Sequence, residues 1–360
     1  MTRLSRTFQT APAAVPKENS ARYLDSGLEA EGFQAPDWLV PDLEDGTAPN
    51  QKEEALENIV DRLSGGTDFG GEIWPRVQWG YHSERESRSD SERRAGNARE
   101  RDRDRGREEI ETLVRKVGDE IDGVVVPKVG RVEDVKRVAN AVAEAEREYG
   151  RPDGSIELSI VVETARAKSD LREISKLGAD SRLTGLVFGP VDYTAELGGR
   201  AIDGSRPTWD GLLADLSNEA SANGLFSVGG PFDDLFRERA GVRFYNGDAY
   251  ADQVEREAKL GLDGSLSLYP KQTAQANRIH MPAEEELRRD VSKIERFEAA
   301  KAEGTGAVTL DGQMVDEATF KNFANTVRTV REIDDAHPEQ TSAAYDEDLL
   351  ARALDLDPEW

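Results

Sequence analysis

Five short apolar runs in the chain each lead into charged groups: PDLEDG offers Glu44 and Asp45, WPRV offers Arg76, VVVPKVG offers Lys128, SIVVETARA offers Glu163, and LVFGPVDYT offers Asp192. Carboxylates and cations arranged this way suit an anionic substrate and a hard divalent ion. Glu163 and Asp192 can each give one oxygen to an octahedral Mg²⁺, or to Mn²⁺ in its place, leaving positions for water and substrate. A 2-oxo acid offers such an ion its carboxylate and carbonyl oxygens, and the ion acts as a Lewis acid on that carbonyl. Arg76 supplies directed N–H donors for an oxyanion. The turn Gly189-Pro190-Val191-Asp192 can point backbone amides at the substrate carboxylate, with Glu44 and Asp45 bordering the same space.

Each residue alone has a plainer reading. Glu163 or Asp192 could be a helix cap or a surface carboxylate. Asp45 before Gly46 could make an Asx turn. Arg76 could be an ion-pair partner of Glu44. Lys128 after Pro127 opens a different chemistry, that of a Schiff-base aldolase. The set is stronger than its members only if one fold brings these segments together.

The elements that would do so are legible as short apolar runs separated by helical periods. Strands are predicted at 6–10, 37–42, 72–77, 123–127, 157–162, 185–188, 224–228 and 264–268. Helices are predicted at 52–63, 107–120, 132–149, 170–177, 209–222 and 250–260. Val132, Val135, Val138 and Val142 step by three and four, as an amphipathic helix requires. Eight strands alternating with helices point to an α/β fold, a (β/α)8 TIM barrel, whose C-terminal strand ends converge on one mouth. A doubly wound open sheet is the competing architecture, and the absence of GxGxxG after the first strand counts against it. The barrel is expected over 1–280 and a small helical domain over 281–360. In that domain Leu287, Val291, Ile294 and Phe297 share one face, and Phe320, Phe323, Val327 and Val330 another. Residues 83–107, with nine arginines against seven acids, read as a solvated low-complexity loop. The acidic tail from about 334 reads as a segment that packs on a neighbour or stays mobile.

Composition narrows the classes further. There are 72 acidic residues against 47 basic ones, of which 12 are lysine, giving a net charge of −25. Such a surface repels nucleic acid, which needs a basic footprint. It stays hydrated in concentrated salt, where self-repulsion is screened, so a halophilic source is expected. The absence of cysteine excludes disulfides and thiolate sites, and three histidines leave a metal site to carboxylates. No run approaches the ~20 apolar residues of a membrane helix, and the first twenty residues lack the apolar core of a secretory signal, so the expected location is cytoplasmic, with no membrane partner.

These segments also resemble those of the citrate lyase β-subunit/malyl-CoA lyase family of CoA-ester lyases. The resemblance spans nearly the whole chain and rests on the order of Pro41–Gly46 (PDLEDG), Pro75–Val77, Val126–Lys128, Val162–Thr164, Phe188–Asp192, GSLSLYPKQ at 264–272 and LDGQMVD at 310–316. It implies a TIM barrel with a C-terminal helical domain, assembled as a homotrimer or homohexamer. Glu163 and Asp192 match the family's Mg²⁺ ligands, and Arg76 matches the arginine that steadies the glyoxylate carbonyl and the thioester enolate. Asp316 matches an acid/base carboxylate that reaches the mouth of a neighbouring subunit; its own sequence context reads equally as the N-cap of the following helix. Arg6, Lys17 and Arg22 are candidate contacts for the phosphates of coenzyme A. The segment after the third strand departs from the family's usual one. The direct bridge from Gln272 to Glu284 lacks the insertion of archaeal malate synthases. That tilts the expectation toward reversible cleavage of β-methylmalyl-CoA, and of malyl-CoA, to propionyl-CoA or acetyl-CoA and glyoxylate, in a methylaspartate-type route of acetate assimilation. Malate synthase is the near alternative, and a non-catalytic assembly subunit of the same fold the remoter one.

Overall fold

Alternation within the apolar runs decides how they pack, because successive strand residues face opposite sides. The computed structural model describes residues 3–15, 21–82, 90–200, 207–239 and 241–356. Eight parallel strands form one ring: β1 (Thr7–Pro12), β2 (Trp38–Asp42), β3 (Glu72–Ile73), β4 (Gly123–Val126), β5 (Glu157–Val162), β6 (Leu183–Phe188), β7 (Phe226–Val228) and, after an antiparallel hairpin of β8 (Phe236–Arg239) and β9 (Val242–Tyr245), β10 (Ser265–Ser267). They make two four-stranded sheets, β10-β1-β2-β3 and β4-β5-β6-β7. Single bridges from Arg76 to Val125 and from Val228 to Gly264 close the ring. The architecture is a closed (β/α)8 barrel, as the sequence pattern predicts.

The interior is filled by inward residues, among them Phe8, Trp38, Val40, Trp74, Val125, Val161, Val187, Phe226 and Leu266. Trp38 stacks on Trp74 at 4.2 Å between ring centroids and tilts against Phe226 at 4.4 Å. Space for these rings comes from missing side chains. A methyl at Gly123 would lie 2.3 Å from the Trp74 ring, and one at Gly185 would lie 1.9 Å from that of Phe226. A second apolar layer, with Leu39, Ile59, Val124, Val138, Ile160 and Leu186, joins the outward strand faces to the helices.

Residues 83–107 are where sequence and structure part. Those from Asp90 onward belong to a 28-residue helix, Asp90–Val117, and not to a loop; residues 83–89 lie outside the described residues. The apolar face of its second half, Ile110, Leu113 and Val117, continues backward through Gly106, Arg103 and Arg99 at the same helical spacing. Arg103 donates to the carbonyls of Gly80 and Tyr81 at 3.0 and 3.1 Å, and the Arg99 guanidinium lies 4.4 Å from the centre of the Tyr81 ring. Pattern reading finds a packing face by its apolar residues, and here arginine stems and a glycine supply it.

The chain divides into two compact units, one of Ser5–Ala276 and one that begins at Asn277 and takes in Leu4. The second contains helix Glu284–Ala302, an antiparallel hairpin of β11 (Val308–Leu310) and β12 (Gln313–Val315), and helix Glu317–Ala336. Phe297 and Phe320 meet between the two helices at 5.0 Å. The acidic tail folds back as helices Pro338–Ala344 and Glu347–Asp355, with Tyr345 donating to the Pro282 carbonyl at 2.7 Å and Arg352 paired with Glu295. Its buried Leu349 and Ala353 are spaced four apart, a short apolar stripe hidden among acids. Among the described residues, no helix is long and apolar enough to cross a membrane.

Candidate active site

The period of two that fills the barrel also aims its chemistry. In β2 the inward series Trp38, Val40 ends at Asp42; after β3, Trp74 is followed two residues on by Arg76; in β5, Val161 is followed by Glu163. Arg76, Glu163 and Asp192, with Asp45, Gly189 and Val191, line one cavity of about 260 Å³ whose floor is Phe8, Val125, Val161, Val187 and Leu266. The predicted set from the strand ends does converge.

Asp42 organises one side. Its carboxylate takes two parallel hydrogen bonds from Arg76, Nε to Oδ1 and Nη2 to Oδ2, both at 2.7 Å. It also accepts the amides of Glu44 at 2.9 Å and Gly46 at 2.7 Å. This bidentate clasp fixes the guanidinium plane and leaves Nη1 toward Glu44, 3.6 Å away. The Arg76 ion-pair reading therefore holds in part, with Asp42 as the main partner. Burial alone would make Arg76 less basic, but the charge and hydrogen bonds of Asp42, and then Glu44 and Glu163, outweigh it and raise its pKa. Sequence reading passed over Asp42, although its place in the inward series of β2 is the signal that finds it.

Lys128 closes the other side. Its ammonium pairs with Glu44 and, at 2.8 Å, with Asp45. Burial would lower its pKa, yet those two carboxylates raise it well above the ordinary lysine value. A Schiff-base lysine must lose that proton to attack, and the two carboxylates oppose that loss. Glu44 is pushed upward by burial, while Asp45, more open, is held below the usual carboxylate range as the hydrogen bond and charge of Lys128 outweigh its burial.

Glu163 is almost fully buried, and its Oε1 accepts the Lys128 amide at 2.7 Å. Burial first, and then the charges of Glu44 and Asp192, push its pKa up to about 8 against an ordinary 4.5. The charges of Glu44 and Asp192 thus oppose ionisation of Glu163 in this mouth, a crowding of carboxyls that a cation would relieve. Among the described residues no three His, Asp or Glu side chains are placed to hold a metal ion together; Glu163 and Asp192, which line the same cavity, are the pair that could offer a cation one oxygen each. Two carboxylate oxygens suit a hard ion that keeps water or substrate in its other positions. Gly189 makes the approach possible, since a methyl there would sit 2.5 Å from the Cβ of Glu163. Pro190 occupies the first turn of helix Pro190–Glu196, where the amides of Val191 and Asp192 have no acceptor within the helix.

The coenzyme A candidates fare differently. Arg6 lies at the N-terminal end of β1, away from the mouth, and is buried in a two-pronged ion pair with Asp37 at 3.0 and 2.7 Å, so it is a structural residue of the barrel floor. Arg22 begins helix Arg22–Leu28 after β1 and lies over the Tyr23 ring, exposed on the mouth side. Lys17 lies outside the described residues. In the other unit, Asp316 is the N-cap of helix Glu317–Ala336 and accepts the Thr319 amide and hydroxyl, both at 2.9 Å. Those hydrogen bonds hold its pKa below the usual range, so it is ionised at neutral pH.

The HpcH/HpaI aldolase/citrate lyase family profile matches residues 102–224. An L-malyl-CoA/β-methylmalyl-CoA lyase of Haloarcula marismortui is 61% identical over 358 residues, 99% of each chain. The chain belongs to the HpcH/HpaI aldolase/citrate lyase family. The apparent malate synthase of the same organism is 37% identical over 286 residues, 77% of this chain but 60% of that protein. Among solved structures, the Haloferax volcanii malate synthase magnesium/glyoxylate complex superposes with a TM-score of 0.67, at 27% identity over 99% of each chain.

Proposed function

We propose that this member of the family is a Mg²⁺-dependent CoA-ester lyase that cleaves β-methylmalyl-CoA reversibly to propionyl-CoA and glyoxylate and also accepts malyl-CoA. The observation that carries it is the full-length 61% identity to the Haloarcula lyase. The site supports it: a cavity of about 260 Å³ is below the size of drug-sized pockets and suits a two-carbon oxo acid, with the coenzyme left outside. Glu163 and Asp192 hold the cation, which supplies Lewis-acid polarisation of the substrate carbonyl when bound.

The chain's own residues do the rest. In condensation, ionised Asp316, delivered from a neighbouring subunit of a homotrimer or homohexamer, removes a proton from C2 of propionyl-CoA. Arg76, clasped by Asp42, faces the enolate oxygen with N–H donors already in place, so no reorganisation is needed as charge develops. C2 then bonds to the aldehyde carbon of glyoxylate, and the resulting alkoxide takes up a proton. In cleavage the hydroxyl loses that proton to water, the carbon–carbon bond breaks, and Asp316, having taken a proton from water, gives it to C2. The phosphates of coenzyme A meet Arg22, exposed after β1. The acidic, lysine-poor surface fits a halophilic, cytoplasmic setting, with the lyase serving acetate assimilation of the methylaspartate type.

The deciding experiment is the mass of the product formed from propionyl-CoA and glyoxylate with Mg²⁺ in concentrated KCl. Intact β-methylmalyl-CoA is expected. Free CoA with a released dicarboxylic acid would establish the malate synthase type of reaction instead.

A further inference from the structure

Lys128 has no part in the reaction above, yet its backbone is held where lysine rarely sits. Its φ is +50°, and among the described residues only two other non-glycine residues, Trp209 and Asp311, have positive φ. Asp311 and Gly312 form the two-residue turn between β11 and β12, where both central positions take positive φ as such hairpins require. Trp209 opens helix Asp210–Ala222. Lys128 belongs to neither a hairpin nor a helix start. It follows Pro127 at the end of β4, and an L side chain avoids this region because its Cβ crowds the next carbonyl. A conformation of that kind persists where its surroundings over-determine it.

The surroundings are explicit. The Lys128 amide donates to Glu163 Oε1 at 2.7 Å, while its ammonium spans Glu44 and Asp45. The Thr164 hydroxyl donates to the Val129 carbonyl at 2.8 Å, tying the same two loops a second time. With Oε1 engaged, Oε2 of Glu163 lies on the side of Gly189, where a methyl would come within 2.6 Å of it. That side leads into the turn carrying Asp192.

We propose that Lys128 is the positioning residue of the cation site: its left-handed main chain engages Glu163 Oε1, leaves Oε2 to be offered with Asp192, and its ammonium keeps Glu44 and Asp45 away. The proposal rests on the reading of Glu163 and Asp192 as cation ligands, and not on which thioester reacts. It also inverts the usual order of conservative substitution. Glycine, least like lysine, takes φ of +50° freely and keeps the amide in place, whereas valine, branched at Cβ, resists that region and swings the amide away.

The test is Mn²⁺ binding followed by electron paramagnetic resonance, on the full chain and its Lys128→Gly, Lys128→Met, Lys128→Ala and Lys128→Val variants, with folding checked by circular dichroism. Lys128→Gly should bind Mn²⁺ within a small factor of the parent, while Lys128→Val should lose about 10- to 100-fold in affinity. Lys128→Ala should fall between them and carries the comparison if the valine variant does not fold. In Lys128→Met and Lys128→Gly, Glu44 is released toward the ion, so water-proton relaxation by bound Mn²⁺ should fall as a coordinated water is displaced. Parent-like affinity in both Lys128→Val and Lys128→Ala, or equal losses in the glycine and alanine variants, would overturn the positioning role while leaving the cation site standing. Absence of Mn²⁺ binding by the parent chain would overturn the cation site itself, and the proposal with it.

Discussion

Replacing Glu163 by glutamine tests the electrostatics of the mouth without any substrate. The side chain keeps its volume and its acceptor for the Lys128 amide, and loses only the charge. Burial and the neighbouring Glu44 and Asp192 place the folded-state pKa of Glu163 at about 8, against 4.5 as an ordinary carboxyl. Between those values the folded chain holds a proton that the unfolded chain has released, so stability is full at low pH and falls as pH rises through the window. At 1.36 kcal/mol per unit of pKa, the ceiling on that loss is about 5 kcal/mol. For a chain of this size it corresponds to roughly 6 °C in melting temperature. The assay is thermal unfolding of parent and Glu163→Gln from pH 5 to pH 9 in concentrated KCl with EDTA. Other buried carboxyls, such as Glu257 with its pKa raised by burial to about 7, titrate in both proteins and cancel in the difference. Glu163→Gln should gain on the parent as pH rises, and Mg²⁺ should close the gap at pH 9 by stabilising only the parent. A constant difference between the two proteins across the range would refute the reasoning.

Four further outcomes follow from distances in the structure. Gly189→Ala places a methyl 2.5 Å from the Cβ of Glu163, an overpacking of about 1–3 kcal/mol, and should weaken Mg²⁺ binding in calorimetry while lowering the melting temperature a few degrees. Asp42→Asn removes the charge that fixes the Arg76 plane; kcat should drop about 100-fold with a smaller change in KM for glyoxylate, measured by steady-state kinetics. Asp316→Asn keeps an acceptor for the Thr319 amide, so the chain should melt as the parent does and still bind CoA thioester while turnover is lost. Gly106→Val would drive its Cβ to 1.9 Å from the Gln78 carbonyl and should lower the denaturant midpoint by detaching helix Asp90–Val117 from the segment after Arg76.

Much of the fold was legible because barrel strands are apolar runs and barrel helices are amphipathic, and both periods survive in a chain that is 33% charged. Helices 52–63 and 132–149 and strand 157–162 fall where their patterns place them. The predicted strand 72–77 shrinks to Glu72–Ile73 because Pro75 has no amide to continue a ladder, leaving Arg76 with isolated bridges to Asp42 and Val125. The first half of helix Asp90–Val117 was hidden because its packing face is written in arginine and glycine, while the second half falls within the predicted 107–120. At the site, Arg76, Glu163 and Asp192 were legible as strand-end charges. The partners were not: that Arg76 is clasped by Asp42 rather than Glu44, and that Arg6 is consumed by Asp37, depend on which way the side chains turn, and spacing does not encode it.

One of the two seams that join the halves of the barrel runs through Arg76. Its backbone bridges to Asp42 on one side and to Val125 on the other, with the Val77 amide donating to the Val125 carbonyl at 3.1 Å and the Val125 amide to the Pro75 carbonyl at 3.0 Å. One half-barrel carries Asp42, Glu44 and Asp45, the other Lys128, Glu163 and Asp192. Acid and base groups therefore come from two half-barrels that meet at two narrow seams, and the seam beside these groups runs through Arg76, the proposed oxyanion donor. Breathing along this seam would separate the carboxylates from their counter-charges at one stroke. Deuterium uptake at the amides of Val77 and Val125 thus serves as a direct gauge of how often the mouth comes apart.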